Sequence, residues 1–104
     1  MELIDEIEEL IMMHQEGPYW DFKREWYDDS KDGDLLIDII CMANNLVDRD
    51  AYIIIGVNEE CDYAIQDVSQ DANRRNTQML TDFIRGKKFA GDFRPVVTVE
   101  QVHL

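Results

Sequence analysis

Two carboxylates and a lysine lie close together in the segment Glu16-Gly17-Pro18-Tyr19-Trp20-Asp21-Phe22-Lys23. Glu16 falls in a predicted turn and Asp21 on the polar face of the strand that follows, so their carboxylates can converge on one point. Carboxylate oxygens are the ligands that a hard cation such as Mg²⁺ or Mn²⁺ takes. Lys23 shares the polar face of Asp21, where its ammonium group could contact a phosphate. The commoner explanation of this pattern is an exposed strand face that carries Asp, Lys and Glu.

A second candidate site comes from the uneven spread of charge along the chain. Residues 1–71 hold 20 acidic and 4 basic residues, whereas residues 72–104 hold 3 acidic and 6 basic residues. Such asymmetry can mark a surface that contacts a polyanion, although a solvated helix and loop are the commoner explanation. The candidate nucleic-acid contacts are Lys23, Arg74, Arg75, Arg85, Lys87, Lys88 and Arg94.

Composition limits the classes of protein that could carry these sites. The chain has 104 residues, of which 45% are hydrophobic and 32% charged, which is typical of one globular domain. Two cysteines are too few for a disulfide scaffold, and no apolar run approaches the roughly 20 residues of a membrane span. We therefore expect a cytoplasmic protein with no membrane partner. The net charge of −13 argues against a protein that coats nucleic acid regardless of sequence.

Hydrophobic periodicity predicts the elements that position the acidic segment. Apolar residues at helical spacing predict a helix over residues 2–13 and another over 34–46. Between them, alternation predicts a strand over residues 20–26, with Trp20, Phe22 and Trp26 on one face.

The second half of the chain predicts a further helix between strands. The apolar run 51–57 is typical of a central strand buried on both faces, and residues 63–65 form a short return strand. A helix over 72–85 and a last strand over 95–102 complete the order α-β-α-β-(β)-α-β. This order predicts a single α+β domain in which a mixed sheet packs against about three helices.

The predicted last strand ends almost at the final residue, Leu104. A strand at a chain end leaves an open sheet edge that another strand would normally cover. We therefore expect the chain to be the N-terminal part of a longer protein with downstream domains, or a domain that forms a homodimer through this edge.

Three short motifs, in this order and spacing, resemble the Schlafen/Alba-like family of DNA-binding domains. They are Asp-Phe-Lys at 21–23, Met-Ala-Asn at 42–44 and Ile-Ile-Gly-Val at 54–57. The segments 71–74 and 89–95 resemble a bacterial branch, whose members are described as transcriptional regulators or ATP-binding proteins. The resemblance covers roughly residues 14–104 and implies an α+β domain that binds nucleic acid. No phosphate-binding glycine loop supports the ATP-binding description.

In the Schlafen branch, the resemblance implies a metal-dependent endoribonuclease with three acidic residues. Glu16 and Asp21 match the first two positions, and Lys23 follows them in the motif. The third acid of that branch falls on Asn58, with Glu59 one residue further on. Because neighbouring strand residues point to opposite faces, we expect Glu59 to face away from the site. The candidate metal ligands are therefore Glu16 and Asp21, with Asn58 or Glu59 as the third.

Three functions follow, in the order in which the sequence favours them. The first is a non-catalytic module that binds DNA or RNA in a bacterial regulatory protein and needs no cofactor. The second is an acidic protein-interaction or dimerisation domain that contacts no nucleic acid. The third is an endoribonuclease that uses Mg²⁺ or Mn²⁺, with Glu16, Asp21 and Lys23 in the catalytic site.

Overall fold

The computed structural model describes residues 2–89 and 94–104. The helices in this part of the chain are α1 (Leu3–Met12), α2 (Asp32–Ala43) and α3 (Thr77–Arg85). The strands are β1 (Trp20–Lys23), β2 (Tyr52–Ile55), β3 (Val57–Asn58) and β4 (Ala64–Ile65), and 3₁₀ turns cover Asp29–Lys31 and Glu59–Cys61. The predicted α+β class is confirmed. Within the described ranges, no helix is long and apolar enough to cross a membrane.

The strands form two separate pairs rather than one continuous mixed sheet. β1 and β2 run parallel, with Trp20 opposite Tyr52 and Lys23 opposite Ile55. β3 and β4 run antiparallel, with Asn58 opposite Ala64. The polar end of β1 therefore lies beside the carboxyl end of β2, from which the chain continues directly into β3.

Gly56 lies where the chain passes from the β1–β2 pair to the β3–β4 pair. Its φ angle is 108°, its amide donates to the Lys23 carbonyl (2.7 Å), and its carbonyl accepts from the Gln66 amide (2.7 Å). A Cβ atom here would lie 2.8 Å from the Gln66 carbonyl oxygen, so only glycine suits this position. The predicted strand over 51–57 is thus divided at Gly56. β2 is half-buried, not buried on both faces, and among the described residues it pairs with β1 and with no second strand.

β1 is shorter than the strand predicted over residues 20–26. After Lys23 a backbone amide bonds to a side chain instead of a strand, since the Trp26 amide donates to the Asp71 carboxylate at 2.9 Å. Trp20 and Phe22 point inward as the alternation predicts, and they pack with Ile7 of α1 and with Val57. This first core cluster lies on the side of β1 opposite to its polar face.

A second core cluster joins α2 to α3. It contains Tyr27, Leu35 and Ile39 with Leu80 and Ile84. α2 begins and ends a few residues before the predicted 34–46, and α3 begins five residues after the predicted position 72. In α3 the start is set by Asn76, whose side chain accepts from the Met79 amide at 2.8 Å.

The predicted strand over residues 95–102 is wrong. The described residues 94–104 contain no strand. Val97 and Val99 instead pack against the second core cluster, and the Val99 amide donates to the Thr77 hydroxyl at 2.8 Å. Packing against this cluster accounts for Val97 and Val99, whereas Val96 is exposed. The edge on which the dimer prediction rested is therefore not formed there, and residues 90–93 of the family-like segment 89–95 lie outside the described residues.

Candidate metal and nucleic-acid site

Three carboxylates converge from the turn that follows α1, from β1 and from the 3₁₀ turn that follows β3. Glu16, Asp21 and Glu59 each offer one oxygen, and these oxygens all lie within 4.8 Å of one another. Two trans ligands of a Mg²⁺ ion, each about 2.1 Å from it, are about 4.2 Å apart. The upper limit of 4.8 Å is slightly longer than this separation, so small shifts of the side chains would bring the three oxygens to the distances that one divalent cation requires.

Glu16 is held in place by a tight turn between α1 and β1. The Gly17 amide donates to the Trp20 carbonyl (3.2 Å), and the Trp20 indole donates to the Gln15 carbonyl (2.8 Å). The indole covers Gly17 so closely that a Cβ atom there would lie 2.1 Å from a ring carbon. Glycine at position 17 thus allows Glu16 to stay beside the start of β1.

Asp21 is the buried member of the three, with only 8% of its surface exposed. It lies on β1, where the strand alternation turns it away from Trp20 and Phe22. Its Oδ1 atom accepts from the Phe22 amide at 2.8 Å. This bond fixes the orientation of the carboxylate and leaves Oδ2 directed towards Lys23, 3.4 Å from the ammonium nitrogen.

Glu59 reaches the site although we expected it to face away. The alternation rule does not apply, because β3 ends at Asn58 and Glu59 begins a 3₁₀ turn. Asn58 is buried and its side-chain oxygen accepts from the Glu60 amide at 3.1 Å, which caps that turn. The side-chain oxygen of Asn58 is thus engaged with a backbone amide, and Glu59 is the better candidate for the third ligand.

The close approach of these carboxylates changes the acidity of Glu16. A hydrogen bond with Asp21 is the largest cause, followed by partial burial and the neighbouring Glu59, and together they raise the pKa of Glu16 to about 8. Three carboxylates in contact cannot all ionise without strong repulsion. A bound cation would relieve this repulsion, as a proton on Glu16 does in its absence.

Lys23 lies between the carboxylates of two elements. Its ammonium nitrogen is 3.4 Å from Asp21 Oδ2 and 3.4 Å from Asp38 Oδ2 on α2. Partial burial lowers the pKa of Lys23, but the charges of Asp21 and Asp38 outweigh burial and raise it. Lys23 is therefore a fixed positive charge at the border of the carboxylate cluster, with about a third of its side chain exposed.

Asp38 and Tyr27 are site neighbours that the sequence reasoning missed. The Tyr27 hydroxyl donates to Asp38 Oδ2 at 2.5 Å, and burial followed by this hydrogen bond raises the pKa of Tyr27. Both residues line a cleft of about 320 Å³ together with Lys23 and Lys31. The available signal was the spacing of Asp34 and Asp38, which are four residues apart and therefore lie on the same side of a helix.

The other candidate basic residues differ in their surroundings. Arg75 is nearly buried, with 11% of its side chain exposed, and it pairs with Asp32 at 2.6 Å. Arg74 is exposed and donates to the Ser69 carbonyl, and Arg85 is 3.8 Å from Asp82. The remaining candidate residues come after α3 in the chain. Lys87 lies over the Phe83 ring, and Lys88 and Arg94 are exposed. Among the ion pairs of the described residues, Lys23 is the basic member of the set joined to the carboxylate cluster.

The chain belongs to the family described as Schlafen, AlbA_2, whose sequence model matches residues 16–103. The match begins at Glu16 and contains all three clustered carboxylates, Lys23 and Asp38. Membership confirms the family resemblance and is consistent with a nucleic-acid-related domain. No curated protein and no solved structure gives a significant match.

Proposed function

We propose that this domain is a divalent-metal-dependent nuclease that cleaves RNA. The observation that carries the proposal is the convergence of one oxygen each from Glu16, Asp21 and Glu59 within 4.8 Å. The sequence had favoured a non-catalytic binding module and had ranked the nuclease third, because Asn58 stands at the third acid position and Glu59 was expected on the opposite face. Its presence in the cluster, within a family that is consistent with nucleic-acid function, reverses that order.

The roles of the residues follow from their positions. Glu16, Asp21 and Glu59 would hold Mg²⁺ or Mn²⁺, hard cations that prefer oxygen ligands. Such a cation polarises a phosphate oxygen and lowers the pKa of a bound water. The Lys23 ammonium, beside Asp21, would bind a non-bridging oxygen of the scissile phosphate and hold it against the cluster. The Phe22 amide keeps the Asp21 carboxylate oriented throughout.

A cleavage assay with end-labelled single-stranded RNA and DNA, in Mn²⁺ or in EDTA, tests this proposal. We expect Mn²⁺-dependent RNA cleavage that falls by about 100-fold or more in Glu16→Gln, Asp21→Asn and Glu59→Gln. Glu60→Gln is the matched control, because Glu60 lies in the same turn but outside the cluster. Cleavage that persists in EDTA, or in Asp21→Asn, would overturn the nuclease proposal.

Non-catalytic nucleic-acid binding is the second candidate, and the exposure of Arg74, Lys88 and Arg94 favours it. The same oligonucleotides, titrated across a salt series without metal, test this candidate. Steep salt dependence without cleavage would support a binding module. A domain that neither binds nor cleaves would instead favour the protein-interaction or dimerisation alternative. A place in a cytoplasmic regulatory protein with further domains belongs to these proposals and rests on the family resemblance.

A further inference from the structure

The ammonium group of Lys23 is shared equally between two carboxylates. Its nitrogen is 3.4 Å from Oδ2 of Asp21, which is in the carboxylate cluster, and 3.4 Å from Oδ2 of Asp38, which is not. A lysine with a single carboxylate partner closes to a charge-assisted hydrogen bond of about 2.8 Å. Here neither contact reaches that length, and the ammonium nitrogen is equally far from the two carboxylate oxygens.

The position of Asp38 is fixed independently of Lys23. Asp38 lies on α2, and its Oδ2 atom accepts a hydrogen bond from the Tyr27 hydroxyl at 2.5 Å. Tyr27 is only 5% exposed and packs with Leu35 and Ile39 in the second core cluster. The core therefore anchors Tyr27, the Tyr27 hydroxyl anchors Asp38, and Asp38 in turn holds the end of the Lys23 side chain.

We propose that Asp38 is a positioning residue that keeps Lys23 from closing onto Asp21. Asp21 Oδ2 thereby stays open to a divalent cation, and the Lys23 ammonium stays directed towards the phosphate. Without the Asp38 charge, Lys23 pairs with Asp21 alone and competes with the cation for that carboxylate. This inference rests on the proposed metal-dependent function, and it assigns a role to two residues outside the carboxylate cluster.

Mn²⁺ affinity, measured from the electron paramagnetic resonance signal of free Mn²⁺, tests the inference without any cleavage assay. We expect Asp38→Asn to weaken Mn²⁺ binding by about 10-fold, as removal of an outer partner of a metal ligand does. Asp34→Asn is the matched control. It removes the same charge from the same helix and cleft, but no hydrogen bond or ion pair joins Asp34 to Lys23 among the described residues. We expect this control to change the affinity less than 2-fold.

A double-substitution cycle separates the proposed role from a simple loss of charge. In a Lys23→Met background no ammonium group remains to compete for Asp21. Adding Asp38→Asn to that background should therefore weaken Mn²⁺ binding no more than adding Asp34→Asn does. An Asp38→Asn effect of full size in the Lys23→Met background would overturn the inference.

Tyr27→Phe provides a second variant that retains the buried ring and removes only the hydroxyl donor. We expect it to weaken Mn²⁺ binding in the same direction as Asp38→Asn, by a smaller factor, while circular dichroism shows an unchanged fold. Equal Mn²⁺ affinities of Asp38→Asn and Asp34→Asn would overturn this inference and leave the metal site standing. A wild-type protein that binds no Mn²⁺ would overturn the metal site and the inference together.

Discussion

The side-chain oxygen of Asn58 caps the turn that begins at Glu59, and this bond brings Glu59 to the carboxylate cluster. This oxygen accepts a hydrogen bond from the Glu60 amide at 3.1 Å, and Asn58 is the buried last residue of β3. The residue at the position of the family's third acid thus supports the acid beside it. The amide at position 58 therefore leaves three carboxylates in the cluster, because the neighbouring Glu59 supplies the third.

Removing this cap should weaken metal binding through Glu59. We expect Asn58→Ala to cost about 1 kcal/mol of stability, as the loss of a capping side chain does in helices, and to weaken Mn²⁺ binding several-fold. Asn58→Ser keeps a neutral capping oxygen and should retain more of both properties than Asn58→Ala does. Urea unfolding and Mn²⁺ titration of the two variants check this prediction, and wild-type Mn²⁺ affinity in Asn58→Ala would contradict it.

Substitution of Gly17 should disrupt the turn that positions Glu16. The added Cβ atom of Gly17→Ala would lie 2.1 Å from the Trp20 ring, so the indole or the turn must move. We expect a destabilisation of about 1–3 kcal/mol, in the range of overpacked cores, together with weaker Mn²⁺ binding. Gly33→Ala is the control, since nothing lies within 4 Å of its added atom, and it should leave stability unchanged or slightly higher. Equal urea midpoints for the two variants would show that the turn adapts.

Arg74 and Arg75 should respond differently to substitution despite their adjacency. Arg75 is nearly buried and paired with Asp32, so Arg75→Ala should lower stability by about 1.5 kcal/mol and leave the salt dependence of RNA binding unchanged. Arg74 is exposed, so Arg74→Ala should reduce the salt slope by about 1 if it contacts a phosphate. RNA binding across a salt series with both folded variants checks this, and a reduced slope in Arg75→Ala alone would contradict it.

The raised pKa of Glu16 should make the metal-free protein less stable as pH rises. Unfolded Glu16 loses its proton near 4.5, whereas folded Glu16 keeps it until about 8, so unfolding in this window releases a proton. The folded state binds more protons than the unfolded state, and the contribution of Glu16 to stability therefore declines from pH 4.5 to pH 8. Thermal unfolding of wild type and Glu16→Gln across this window isolates the effect.

In that comparison, the stability of wild type should fall relative to Glu16→Gln as pH rises, and Mn²⁺ should reduce the fall by neutralising the cluster. Other carboxylates of this acidic chain titrate in both proteins, so only the difference between their curves is informative. Parallel curves for the two proteins would show that Glu16 titrates normally when folded.

Local sequence determined the features of this protein that depend on residues near one another in the chain. The helical spacing of apolar residues predicted α1, and the alternation of Trp20, Asp21 and Phe22 predicted which side chains of β1 join the apolar core. Glu16 and Asp21 could be paired from the sequence because a single turn and one strand residue separate them. The family resemblance was readable for the same reason, since its motifs are short and contiguous.

Only the tertiary structure decided which distant groups would meet. Glu59 joins the cluster because β3 ends at Asn58, and Arg75 is withdrawn from the surface by Asp32, 43 residues away. Residues 95–102 are rich in β-branched residues, as strands are, but Val97 and Val99 pack against the second core cluster, and no strand among the described residues pairs with this segment. Hydrophobic periodicity indicates which side of a segment is apolar and can be buried. The partner of each backbone amide or charged group depends on contacts between segments that are far apart in the chain. For this reason the sequence alone did not predict that Glu59 is the third carboxylate or that Asp38 contacts Lys23.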